Sequence, residues 1–219
     1  MSGLLSSSIA RKFAMALSAL FLVFFLLMHV SINLLSLFSE DAFNTASHFM
    51  GTNPLIQFAM QPILIIGVVF HFIMGLVLEI KNKKAQGLKY AQNNGAANST
   101  WMSRNMIYSG AVILLFIAVH FVDFWFPELN YKYIQGNPED PTRYYHELVE
   151  HFQNPVKVGI YVLAFIFLAL HLLHGFQSAF QSMGANNKYT KGLKNFFAGY
   201  SIVVPALFII IVLFHFFNH

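Results

Sequence analysis

The sequence predicts an all-α integral membrane protein, a bundle of five transmembrane helices with its N-terminus inside and its C-terminus outside. Three observations predict it. Of 219 residues, 57% are hydrophobic, while 13 Lys and Arg and 9 Asp and Glu make up only 10%, against roughly 25% charged residues in a soluble domain. So few charges cannot cover a soluble surface of this size, and Phe alone, with 25 residues, outnumbers them. Five stretches also reach the roughly 20 mainly apolar residues that cross a hydrocarbon layer of about 30 Å at 1.5 Å per residue. Finally, the basic residues are shared unequally between the loops on the two sides.

The first span, about 13–38, follows Arg11 and Lys12. It is longer than a signal-peptide core of roughly 7–15 residues, so it reads as a retained helix. The second, 55–80, and the fifth, 196–217, contain Pro62 and Pro205, which a membrane helix tolerates with a kink. The third covers 104–126 and the fourth 156–182, and the five form a single membrane domain over 1–219. The inner connector, 82–103, is rich in Asn, Gly, Gln and Lys and reads as polar chain. The outer one, 127–155, is punctuated by Pro127, Pro138, Pro141 and Pro155, with a short helix expected from Asp140 or Thr142 through Phe152. Its Tyr144 and Tyr145, with Trp125 nearby, suit the membrane–water boundary. Neither loop carries a nucleotide or nucleic-acid motif.

With the N-terminus inside, the inner side holds Arg11, Lys12, Lys81, Lys83, Lys84, Lys89, Arg104, Lys188, Lys191 and Lys194. The outer side keeps only Lys132, Arg143 and Lys157. That is the positive-inside pattern, and the reverse topology would invert it. There is no cysteine, which excludes disulfides, covalent c-type haem attachment and the usual ligation of an iron–sulfur cluster by this chain.

Ten histidines is a high count for so apolar a chain. His48, His146, His151, His215 and His219 lie in or near loops or at the end of a span; His29, His71, His120, His171 and His174 lie inside spans. A lone intramembrane histidine is ordinarily an interhelical hydrogen bond. Here each of the first four spans carries one at matching depth. His29 and His120 lie past the midpoint of outward-running spans, and His71 and His171 past the midpoint of inward-running ones. The two layers are then on the order of 10–13 Å apart along the membrane normal. Two neutral imidazoles from facing helices are what a six-coordinate b-type haem requires, so the bundle is expected to enclose two.

The neighbours favour a haem over a bare metal ion. His71 is flanked at i±4 by Gly67 and Gly75, and His171 is followed by Gly175, which leaves room for a flat macrocycle on the same helix face. Small residues also mark ordinary helix contacts. The segments His71-Phe72-Ile73-Met74-Gly75 and His171-Leu172-Leu173-His174-Gly175 suggest an internal repeat, spans one and two matching three and four. The repeat favours His171 as ligand, since His174 aligns with Met74. Depth alone, about 4.5 Å for three residues, leaves the choice open. Arg11, Lys12 and Arg104 are candidate partners for inner propionates and Arg143 for outer ones, although the same charges satisfy the positive-inside rule without touching haem.

On these residues the chain resembles the dihaem cytochrome b anchor subunit of succinate:quinone oxidoreductases, the type with one five-helix polypeptide. The resemblance covers essentially the whole chain. It rests on the order of spans, one histidine in each of the first four, Arg11-Lys12 before span one, His29-x3-Asn33, and Arg104 with Ser109-Gly110 before His120. The run from His171 to Gln181 is its most specific stretch. The resemblance implies that His29 and His120 ligate an outer, distal haem and His71 and His171 an inner, proximal one. It implies two partners on the inner face, an FAD flavoprotein acting on succinate and an iron–sulfur subunit, with this chain relaying electrons to quinone, menaquinone in most members, near the distal haem. It also implies a bacterial cytoplasmic membrane and no acid–base chemistry on succinate in this chain. Some fumarate-reducing members carry a membrane glutamate two residues before the fourth ligand. Here that position is Ala169, which leans the expectation towards succinate oxidation.

A quinone carbonyl needs hydrogen-bond donors at the edge of an apolar cleft, and Asn33, His48 and Asp123 are the outer-side candidates. Each has a plainer reading, as a haem-edge contact, a loop residue and a helix-end carboxylate respectively. Two other functions compete. A dihaem cytochrome b of another respiratory oxidoreductase would distribute its histidines differently among the spans. A histidine-lined proton or metal transporter would need membrane-embedded carboxylates, and only Asp123 and Glu79, near span ends, approach that.

Overall fold

The computed structural model describes residues 7–85, 106–182 and 190–218. Lys89, Arg104, Lys188, His219 and the inner connector beyond residue 85 lie outside the described residues. No strand occurs among those described.

Helix α1, Ser8–Leu35, is the first span. Helix α2, Glu40–Thr52, follows in a stretch that apolar runs alone do not mark. Its signals are local: the Ser39 hydroxyl accepts from the Ala42 N–H at 3.2 Å, and Glu40 and Asp41 sit at the positive end of the helix dipole. The second span starts with a π-helical turn, Ile56–Met60, that runs directly into α3, Gln61–Ala85. Helix α4, Met106–His120, continues through a π-helical turn, Phe121–Trp125, one α-helical turn, α5, Phe126–Leu129, and a second π-helical turn, Asn130–Ile134.

The third span therefore reaches Ile134 rather than stopping near residue 126 as expected. The expectation takes Pro127 for a helix stop. The π-helical turn Phe121–Trp125 changes the hydrogen-bond register just before Pro127, and the rod continues past this proline, which has no N–H to place. Helix α6, Arg143–Phe152, is the short outer helix, introduced by Asp140 Oδ1 accepting from the Thr142 N–H at 2.8 Å and its hydroxyl at 2.7 Å. Helices α7, Pro155–Ser182, and α8, Thr190–Asn218 with Pro205 in its interior, complete the bundle.

Among the described residues, five helical rods are long and apolar enough to cross a membrane: Ile9–Leu35, Ile56–Lys84, Met106–Ile134, Pro155–Phe180 and Thr190–Asn218. Their directions follow from contacts. α1 and α3 are antiparallel, with Ser18 beside His71 and Phe21 beside Gly67. α4 and α7 are antiparallel, with Ser109 beside His171 and His120 beside Tyr161. α1 and α8 run parallel, because the Tyr200 hydroxyl donates to Val23 O and Ser36 meets His215. One end thus collects Arg11, Lys12, Lys81, Lys83, Lys84, Lys191 and Lys194; this is the basic end. The other, the loop end, carries α2, α5, α6, Lys132, Arg143 and Lys157.

The tightest packing is at the loop end, where Val30, Phe43, Leu148, Phe152, Phe165 and Ile211 form one cluster across five helices. Elsewhere the rods turn large apolar side chains outward, among them Phe24, Ile66, Leu115 and Ile202. Such a surface requires lipid, not water, around it. His215, grouped by sequence with histidines at span ends, is fully buried. Its Nε2 lies 2.9 Å from Ser36 Oγ, whose own proton goes to Asn33 O at 2.7 Å. The imidazole therefore donates, and the bond ties α8 to the end of α1.

Candidate functional site

Towards the basic end, His71 of α3 and His171 of α7 face each other across the bundle with ring centres 6.3 Å apart. Each is held from behind by a serine. Ser18 Oγ of α1 lies 3.1 Å from His71 Nδ1, and Ser109 Oγ of α4 lies 3.2 Å from His171 Nδ1. Each hydroxyl donates its single proton to the carbonyl three residues earlier, Met15 O at 2.8 Å and Met106 O at 2.9 Å. With that proton committed, the oxygen can only accept, so the network assigns the proton of both imidazoles to Nδ1. Among the described residues neither Nε2 takes part in a side-chain hydrogen bond, and these lone pairs face away from the serine contacts at Nδ1.

Nearer the loop end, His29 of α1 and His120 of α4 form the second pair, with ring centres 5.8 Å apart. Phe25 stacks on His29, Phe116 and Phe124 flank His120, and Phe208 closes against His29. The Tyr161 hydroxyl donates to Asp123 Oδ2 at 3.0 Å and sits 3.4 Å from His120 Nδ1. As with the serines, the phenol proton is spent, here on the carboxylate, so the phenol oxygen accepts from His120. His29 is the exception. Asn33 Nδ2 donates to His29 O at 2.8 Å and stays 3.5 Å from Nδ1, so among the described residues no acceptor sets the tautomer of this ring.

Asp123, with a side chain only 5% exposed, is neutralised by Lys157 at 3.0 Å, and its other oxygen lies 3.0 Å from His151 Nε2. A carboxylate buried to that degree needs such partners. Burial holds the His151 imidazole below its ordinary pKa, against the upward pull of Asp123 and with a further downward push from Lys157. Tyr161 and His151 are functional-site residues that sequence reasoning missed. Tyr161 sits ten residues before His171, where Gln61 sits before His71.

A metal–imidazole bond of about 2.0 Å, with the ring centre about 1.1 Å further back, puts two trans imidazoles about 6.2 Å apart. The basic-end pair, at 6.3 Å, has that spacing, and the loop-end pair, at 5.8 Å, is slightly closer. A plain edge-to-face aromatic contact spans the same distance, but it does not require the Nδ1 protons to be fixed in this way. Among the described residues no group of three or more His, Cys, Asp or Glu is arranged around a metal ion. Two ligands per site suit a metal whose other positions are filled by a macrocycle, not a bare ion.

The repeat noted in the sequence extends to the supporting residues. Ser18 precedes His29, and Ser109 precedes His120, by eleven residues in each case. His174 stays outside the pairs. It is buried, and neither ring nitrogen has a partner among the described residues. Of the glycines, a Cβ on Gly67 would come within 2.9 Å of the Phe21 ring, so Gly67 serves the close approach of α1 and α3, whereas one on Gly75 would make ordinary contact with Met15 at 3.6 Å. Of the three candidate haem-packing glycines only Gly175 borders open space, with nothing within 4 Å of the Cβ position.

Arg11 is half-buried at the basic end and Lys12 exposed. Arg143 is committed elsewhere: its guanidinium pairs with Glu128 and Glu147 and lies over the Tyr131 and Tyr144 rings at 4.2 and 4.4 Å. The quinone candidates are also occupied. Asn33 is bonded to its own helix and Asp123 to its ion cluster, while His48 lies 3.7 Å from Glu139 with no contact to either pair. A cleft of about 180 Å³ opens instead between the start of the second span and the end of the third. Gln57, Phe58, Gln61, Pro62, Ile65 and Trp125 line it. Gln57 is bonded to Gly51 O and Tyr133. The Gln61 carboxamide has no hydrogen bond among the described residues and borders the cleft. Comparison with protein-family models, curated proteins and solved structures finds no match.

Proposed function

We propose that this chain is the cytochrome b membrane anchor of a succinate:quinone oxidoreductase, in which His71 with His171, and His29 with His120, each hold one b-type haem. The observation that carries this reading is the two facing histidine pairs, with ring centres 6.3 and 5.8 Å apart, three of whose four Nδ1 atoms are backed by committed hydrogen-bond acceptors. When bound, the haems supply one-electron carriers between an iron–sulfur partner and a quinone.

The chain itself binds, orients and insulates. Ser18, Ser109 and Tyr161 turn three imidazoles towards the space between the paired helices. Phe25, Phe116, Phe124 and Phe208 keep water from the loop-end pair. The basic end is the inner side under the positive-inside rule, and there the iron–sulfur and FAD subunits dock. Quinone then enters from lipid at the loop end, where Gln61 offers an amide donor beside Trp125 and Phe58.

The deciding measurement is a reduced-minus-oxidised spectrum with haem quantitation on the purified chain. Two b-type haems per polypeptide are expected, and none would overturn the reading. For the quinone, Gln61→Leu should leave both haems in place and raise the KM for quinone roughly fivefold, the equivalent of one hydrogen bond of about 1 kcal/mol. Unchanged quinone kinetics would move the site away from this cleft.

A further inference from the structure

We infer that Ser18 and Ser109 are positioning residues for the basic-end haem: each presets the tautomer of the opposing ligand, His71 or His171, before the cofactor binds. The inference rests on the haem reading above and concerns residues that bind no cofactor themselves.

A serine beside an imidazole is ambiguous, because its oxygen both donates and accepts. In α1 and α4 the ambiguity is removed by the helix. Ser18 gives its proton to Met15 O and Ser109 to Met106 O, the back-bonding that short hydroxyl side chains make within a helix. Only serine lone pairs remain towards His71 Nδ1, at 3.1 Å, and His171 Nδ1, at 3.2 Å, and the Met106 carbonyl is a second acceptor for the His171 ring. In hydrocarbon, a ring N–H without an acceptor is costly. The only stable neutral form is therefore Nδ1–H, with Nε2 bare for a metal.

The placement is repeated, and it couples the two layers. Eleven residues separate Ser18 from His29 and Ser109 from His120, close to three turns of about 3.6 residues, so each serine shares a helix face with a loop-end ligand. Each of α1 and α4 thus contributes one ligand to one pair and one acceptor to the other. A simple interhelical bond would need neither the back-bonding nor its recurrence in both halves. An acceptor on Nδ1–H also makes the ring a stronger electron donor, which stabilises oxidised iron and tightens metal binding by about 10–100-fold.

The test is a potentiometric titration of both haems, with haem quantitation, on the full-length chain carrying Ser18→Ala, Ser109→Ala, Ser18→Thr or Ser109→Thr. Either alanine should shift the basic-end haem to a higher midpoint potential, by about a tenfold change in its reduction equilibrium, 59 mV for one electron, or empty that site alone. The loop-end haem should not move, and the threonine variants, which keep a hydroxyl, should restore the original potential. Unchanged basic-end potential and occupancy in both alanine variants would overturn the inference while leaving the haem reading intact. Equal shifts of both haems would also overturn it. Absence of haem from the unsubstituted chain would remove the functional reading and this inference together. The two serines lie on different spans, so a variant that fails to fold at one leaves the other as the readout.

Discussion

His29→Ala and His120→Ala are expected to abolish one and the same spectroscopic haem, the one nearer the loop end, and to leave the other at full occupancy. The two residues are 91 positions apart in sequence, yet their rings are 5.8 Å apart. Both α1 and the third span run from the basic end to the loop end, so both histidines arrive at one level. The basic-end pair comes from α3 and α7, which run the other way, and shares no ligand with it. Occupancy of the affected site should fall from one haem per chain to none, because the surviving ring keeps only its flanking aromatics, Phe25 and Phe208 at His29 or Phe116, Phe124 and Tyr161 at His120. Succinate should still reduce the remaining haem through the iron–sulfur partner. Quinone reduction should fail, since the Gln61 cleft lies at the loop end. Loss of different haems in the two variants would contradict the pairing.

The second large effect separates His171 from His174. His71→Ala and His171→Ala should each empty the basic-end site and cut electron flow to quinone, while dye-linked succinate oxidation survives in the assembled complex. His174→Ala should keep both haems. Geometry supports the division: His171 stands 6.3 Å from His71 with Ser109 behind it, whereas His174 joins neither pair. Haem quantitation on the three variants decides it. Loss of a haem in His174→Ala, with retention in His171→Ala, would move the ligand by about one helical turn.

Tyr161 shows where reading by spacing stops. Asp123 is legible in the sequence as a carboxylate three residues past His120, and on a regular helix it would lie near the same face. The π-helical turn Phe121–Trp125 adds a residue at this point, rotating the downstream residues by about 100° relative to an unbroken helix. Asp123 is drawn into contact with Lys157, His151 and Tyr161, and Trp125 turns to the cleft with Gln61. Nothing in the local sequence announces a π-turn. Side of the membrane, donor chemistry and spacing from the histidines select Asn33, His48 and Asp123 as outer candidates, and each has a protein partner in the fold.

The class of protein, the five apolar rods and the level of each intramembrane histidine along them are legible in the order of residues. These are one-dimensional properties: the length of an apolar run, the sign of the loop charges and the position of a residue within a run translate directly into depth at a nearly constant rise. That order could not determine which helices face each other or how each is rotated about its axis, because in an apolar environment all sides of a span look alike. Only the tertiary structure decided that His171 and not His174 meets His71, that Ser18 and Ser109 stand behind the basic-end pair, and that Gly67 seats Phe21. It also decided that His215 belongs to the buried interior. Those choices depend on packing small and hydrogen-bonding side chains between neighbouring spans, a property of pairs of helices that no single run of residues contains.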